Sequence, residues 1–203
     1  MVSNRRLRAA TGVALALAGL AAATAAGGAG LLASARLQGA FEMSGRITDA
    51  VNSGGEYRGE LVHRTWMFSS PCPAGACATV ALQRARNRTQ PPQIDQLVLR
   101  RRSPGFYTGT ATFIAAMRCG GQRYAKGEAV PFSITVRVTA AEIVGDQVLA
   151  GTVRAFYRSP RRIGLTRCVT APAHDAARYT GRLVISPGAT TRSEPSTVLT
   201  AAS

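Results

Sequence analysis

Tyr57-Arg58-Gly59-Glu60-Leu61-Val62-His63-Arg64-Thr65-Trp66-Met67-Phe68-Ser69-Ser70-Pro71-Cys72-Pro73-Ala74-Gly75-Ala76-Cys77 is the stretch whose reading sets the fold class. It holds the only tryptophan and reads as a long strand that ends in a tight loop bracketed by two cysteines. Its first five residues follow a pattern of large apolar residue, any residue, glycine, any residue, apolar residue. The same pattern returns at Met43-Ser44-Gly45-Arg46-Ile47, Tyr107-Thr108-Gly109-Thr110-Ala111, Leu149-Ala150-Gly151-Thr152-Val153 and Tyr179-Thr180-Gly181-Arg182-Leu183. Residues two apart share one face of a strand. Each copy therefore sets its large residue, glycine and apolar residue on one side, with Ser, Arg, Thr, Glu or Ala on the other. A glycine on an inward face marks a bend, a bulge or a close neighbour, as strongly coiled sheets require.

Extending the alternation outward predicts eight strands. Phe41, Met43, Gly45 and Ile47 face inward on the first, and the second covers Tyr57 to Phe68. Ala78, Val80 and Leu82 line the third, and Leu97 and Leu99 the fourth. Tyr107, Gly109, Ala111, Phe113 and Ala115 line the fifth. Phe132, Ile134, Val136 and Val138 give the clearest strand, followed by Leu149, Gly151, Val153, Ala155 and Tyr157. Tyr179, Gly181, Leu183 and Ile185 end the set. Asn52-Ser53-Gly54-Gly55, Pro91-Pro92, Ser103-Pro104-Gly105 and Val144-Gly145-Asp146-Gln147 supply the turns. Consecutive antiparallel strands with short turns leave two exposed edges, which closure removes. The expected fold is all-β, an eight-stranded antiparallel up-and-down barrel, with a β-sandwich as the alternative. Such a barrel fills itself with side chains or holds one small ligand.

The termini differ in character. Arg5, Arg6 and Arg8 precede an uncharged Ala-, Leu- and Gly-rich run from Ala9 to about Ala26, and no acidic residue occurs before Glu42. This is the layout of a secretory signal peptide, with small-residue sites ending at Ala25 and Ala35. Cleavage is expected after Ala35, and an uncleaved N-terminal membrane anchor is the alternative. The domain plan is a signal helix at 1–35, the barrel at 36–186 and a disordered Thr-, Ser- and Pro-rich tail at 187–203. The expected location is secreted or extracellular. Cys72, Cys77, Cys119 and Cys168 are an even number in a chain entering an oxidising compartment, so disulfides are expected rather than zinc. The turn-forming Pro73-Ala74-Gly75-Ala76 pairs Cys72 with Cys77, which leaves Cys119 to Cys168, a loop worth about 4 kcal/mol in the chain-entropy model.

The net charge of the 203-residue chain is +15, and arginine carries nearly all of it because Lys126 is the only lysine. Compositional bias of a GC-rich genome accounts for such a skew, and so does an anionic partner. No Gly-x-Ser-x-Gly, Ser-x-x-Lys, His-Glu-x-x-His or phosphate-loop motif occurs, and no carboxylate pair stands out for glycosidase chemistry. Neither a metal nor a cofactor is called for. Tyr57, His63, Trp66, Tyr107, Tyr157 and Tyr179 are the candidate ligand contacts of an interior cavity. Arg84, Arg86, Arg100, Arg101 and Arg102 are the candidate anion contacts, set at one end by a hairpin around Pro91-Pro92. Those arginine clusters contain no aromatic residue, which argues against nucleic acid.

The layout of a short motif in the first strand and many glycines resembles lipocalins and avidins at the level of architecture. The first strand reads Gly45-Arg46-Ile47 where the lipocalin signature has Gly-x-Trp. Trp66-Met67-Phe68 ahead of Cys72 and Cys77, with Gly151-Thr152 further on, resembles small uncharacterised secreted proteins of actinobacteria across most of Phe41 to Ile185. These readings converge on a secreted, disulfide-stapled, non-catalytic binding module. Its ligand is a small apolar molecule inside, an extracellular protein, or an anionic cell-envelope polymer on an arginine-rich surface. An extracellular hydrolase with an unfamiliar site is the remaining alternative.

Overall fold

Period-two alternation becomes strand along nearly the whole chain in the computed structural model, which describes residues 30–53, 55–86, 93–168 and 171–185. The expected signal run up to residue 29, the expected turn at Pro91-Pro92 and the expected tail from 187 lie outside the described residues. The strands are β1 (Gly39–Val51), β2 (Leu61–Ser69), β3 (Thr79–Arg86), β4 (Gln93–Ser103), β5 (Phe106–Cys119), β6 (Gln122–Val144), β7 (Gln147–Ser159), β8 (Ile163–Gly164) and β9 (His174–Leu183). β1 to β6 each pair with the next in sequence, β9 bridges β7 and β1, and the β5–β6 pairing closes the ring. The result is a closed eight-stranded antiparallel up-and-down barrel. β8 is an extra strand laid on Glu128 and Ala129 of β6.

Gly45 and Gly109 are among the glycines needed where strands crowd. A Cβ on Gly45 would lie 2.4 Å from the Tyr179 ring and 2.6 Å from the Arg178 carbonyl oxygen. One on Gly109 would lie 2.6 Å from the Val98 carbonyl oxygen. Both sit in motif copies on inward positions, as the sequence leads one to expect.

The copy at Tyr57-Gly59-Leu61 behaves differently. Gly59 adopts φ +94° and belongs to a turn, so β2 begins only at Leu61. Tyr57 and Leu61 are exposed, at 65% and 63%, while Val62, Trp66 and Phe68 are buried. Pairing explains the reversal: Phe41 lies opposite Trp66 and Gly45 opposite Val62, so even-numbered β2 residues share the inward face of β1. A shift of one residue moves every side chain to the opposite face. At the far end of the chain, Ile185 lies beyond β9 and is exposed.

Both expected disulfides, Cys72–Cys77 and Cys119–Cys168, are present. The bottom of the barrel is the end with the Gly39 terminus of β1, and there Ala35 and Leu37 are fully buried. Arg36 donates to the Ser70 and Pro73 carbonyls, and Arg101 to the Ala33 and Ala76 carbonyls, tying the chain before β1 to the Cys72–Cys77 loop and β4. In the middle, Trp66 packs edge-on against Phe68 (6.2 Å) and tilted against Tyr179 (5.2 Å), and Phe41 meets Phe68 at 5.2 Å.

Candidate functional site

Register places the outward residues of six adjacent strands into two continuous rungs. The first runs His63 (β2), Ser44 (β1), Thr180 (β9), Arg154 (β7), Arg137 (β6) and Phe106 (β5). The second, one rung along, runs Leu61, Arg46, Arg178, Phe156, Thr135 and Thr108 across the same strands. Eleven of these twelve residues, all but Thr108, line a groove of about 830 Å³ on the outer wall, floored by Gly45, Ala155 and Tyr179. That size is in the range of small-molecule sites, which are usually lined by apolar side chains. The outward side chains around this one are four guanidinium groups, three hydroxyls, an imidazole, two phenyl rings and Leu61, with no carboxylate.

The charges are placed against their own repulsion. Arg46 lies directly opposite Arg178, and Arg137 directly opposite Arg154. Like charges directly opposed across strands are destabilising. Aromatic rings hold one member of each pair: Arg137 stands 5.0 Å from the Phe106 ring centroid and Arg178 5.8 Å from that of Phe156. Arg46 donates to the Gly59 carbonyl at 2.7 Å, so the turn that shifts β2 also anchors a groove arginine. His63 Nδ1 and Ser44 Oγ hydrogen-bond at 3.2 Å at the groove's edge. A guanidinium lying on a ring keeps its N–H edge free for a two-point contact with a planar or tetrahedral oxyanion.

A second polar cluster sits inside, near the top of the barrel. Arg84 forms a buried ion pair with Asp95 at 3.1 Å, and its guanidinium lies 4.4 Å from the Phe132 ring and 4.5 Å from that of Tyr157. Phe132 in turn packs on Phe113 and Tyr157. Arg162, from the connection between β7 and β9, pairs with Glu128 at 3.4 Å and approaches Asp175 at 3.8 Å. Burial raises the Tyr157 hydroxyl well above its ordinary value, reinforced by the negative charge of Asp175. Burial likewise raises the Asp175 carboxyl, with Arg162 opposing and a hydrogen bond from Tyr157 helping to keep it charged. Each carboxylate here faces an arginine, so the charges are compensated within the cluster, while the Nε atoms of Arg84 and Arg162 are buried without a hydrogen-bond partner. Among the described residues no group of His, Cys, Asp or Glu is arranged to hold a metal ion.

The candidates named from sequence scatter. Trp66, Tyr107, Tyr157 and Tyr179 do face the interior and are buried there. Tyr57 lies in the exposed turn ahead of β2, and His63 is carried to the outer wall by the reversed phase of β2. Arg84 is an internal ion-pair partner, and the side chain of Arg86 lies outside the described residues. Arg100 pairs with Thr79 at the bottom while Arg84 pairs with Asp95 near the top. The two clusters therefore occupy opposite ends of the hairpin, because Arg100 lies seven residues into β4, away from the turn. Arg101 is committed to carbonyls, and Arg102 donates to Thr108 Oγ1. The groove residues Arg137, Arg154, Arg178, Phe106 and Phe156 escape sequence reading, since each is an isolated outward residue of an ordinary strand. Three are arginines and two are phenylalanines on the wet face, and only cross-strand register joins them. No protein-family model, curated protein or solved structure matches this chain.

Proposed function

We propose that this is an exported, disulfide-stapled binding module that carries out no catalysis and holds an anionic ligand, such as an envelope polymer, in the outer-wall groove. The observation that carries this reading is the pair of directly opposed arginine couples, Arg46–Arg178 and Arg137–Arg154, in a groove that no carboxylate lines. An anion between the two members of a couple converts their repulsion into attraction from both sides, and the stacked rings hold the guanidinium groups ready. Two disulfides suit the oxidising compartment to which the N-terminal sequence points. An apolar ligand in the interior has less support, because the inward aromatic residues pack on one another and on Arg84.

The test is titration calorimetry with long-chain inorganic polyphosphate at several salt concentrations. Binding should weaken steadily as salt rises, because exposed charges are screened over about 8–10 Å at physiological ionic strength. Arg137→Ser/Arg154→Ser should lose most of it while keeping the wild-type unfolding temperature or slightly exceeding it. A folded double variant with unchanged affinity, or binding indifferent to salt, overturns the proposal.

A further inference from the structure

The two rungs of the groove repeat one arrangement. Going round the barrel in a single direction, the second rung reads Arg46, Arg178, Phe156 on β1, β9 and β7. The first rung reads Arg154, Arg137, Phe106 on β7, β6 and β5. In each, two arginines are directly opposed and the second is held against the phenylalanine that follows it. The second copy is displaced from the first by two strands and one rung. With strands about 4.8 Å apart and same-face residues about 6.7 Å apart, the two arginine couples are centred about 12 Å from each other.

We infer that the groove contains two equivalent anion subsites, Arg46–Arg178 backed by Phe156 and Arg154–Arg137 backed by Phe106, and that its ligand is a linear polyanion spanning both. This rests on the proposed anion-binding role of the groove and adds the number, build and separation of its subsites. A single small oxyanion reaches one couple and leaves the other exposed to its own repulsion. A chain with oxyanion groups along its length reaches both, and the second contact is made at the high effective concentration set by the first. The shared chemistry is a repeated phosphate or carboxylate on an extended backbone. The hydroxyls of Ser44, Thr180 and Thr135, from the same two rungs, line the groove with the couples.

Length dependence tests the inference. Oligoglutamates of two to eight residues supply the carboxylate arm, because an extended peptide gains about 3.3–3.6 Å per residue and reaches 12 Å at about four residues. Orthophosphate, tripolyphosphate and long-chain polyphosphate supply the phosphate arm. Affinity measured by calorimetry should step up about 100-fold or more once a chain spans both couples, and then level off. Whichever arm gives the step identifies the chemistry of the natural ligand. Arg46→Ser/Arg178→Ser and Arg137→Ser/Arg154→Ser should each abolish the step and leave the weak affinity of the shortest chains. Affinity that climbs smoothly with ligand charge, or a step that survives either double variant, overturns the two-subsite inference while leaving anion binding in place. Failure of every anion to bind the folded wild type overturns both.

Discussion

Replacing Arg84 by methionine should be the most damaging single change at the top of the barrel. The Arg84 and Asp95 side chains are 10% and 3% exposed, and they meet at 3.1 Å. Removing one member of a buried ion pair costs about 3–5 kcal/mol, since the remaining charge stays buried without its counter-charge. The guanidinium also contacts Phe132 and Tyr157 at 4.4 and 4.5 Å, an attraction of about 1–2 kcal/mol when desolvated. Methionine recovers part of that through sulfur–ring contact, so a net loss of about 4 kcal/mol is expected. At about 2–4 °C per kcal/mol for a domain of this size, the unfolding temperature should drop ~8–16 °C. Replacing both partners, as Arg84→Met/Asp95→Leu, removes the stranded charge and should recover most of the loss. Urea and thermal unfolding at neutral pH with the disulfides intact would measure all four corners of the cycle. Unfolding of Arg84→Met within about 1 kcal/mol of wild type, or a double variant no more stable than the single one, would refute this account of the buried pair.

Other consequences follow from particular residues. Burial holds the Asp175 carboxyl above its ordinary value of 3.8, so the folded state favours its protonated form. That contribution is fully present below pH ~4 and is lost as pH rises through the raised value. Subtracting the stability curve of Asp175→Asn from that of wild type should therefore give a difference that falls over this range, and a rise would contradict it. Arg154→Thr relieves a directly opposed like-charge pair with Arg137 and should gain a few tenths of a kcal/mol in thermal unfolding while weakening polyanion binding. A loss of stability would show that the couple is not repulsive. Cys119→Ser/Cys168→Ser opens a crosslink between residues 49 apart and should cost about 4 kcal/mol, against about 2 for the pair five apart at Cys72 and Cys77. Equal costs would point to native-state contacts in place of loop closure. Ala35 is fully buried and Arg101 donates to the Ala33 carbonyl, so under the proposed export, cleavage should fall at the Ala25 site and keep these residues, in place of the site after Ala35 expected from sequence. An N-terminal sequence beginning at Arg36 would refute this.

Much of the architecture is local in origin and so legible in the chain itself. Alternation of period two marks every barrel strand, because a strand buried on one face needs little more than that pattern. Inward Gly45 and Gly109 are readable for the same reason, and the cysteine pairing follows from parity and the turn between Cys72 and Cys77. What depends on pairing is not readable. The phase of β2 turned on whether Gly59 continues a strand or breaks it, and the match of Trp66 to Phe41 decided it. Arg84 reads in sequence like any other member of its arginine cluster until β4 brings Asp95 alongside and β6 and β7 bring Phe132 and Tyr157 over it. The groove depends on tertiary structure entirely. Arg46, Arg137, Arg154 and Arg178 come from four strands spread over more than 130 residues, and each alone is an unremarkable outward residue. Alternation decides which face a side chain takes, but cross-strand register decides which side chains become neighbours, and register is a property of the closed barrel.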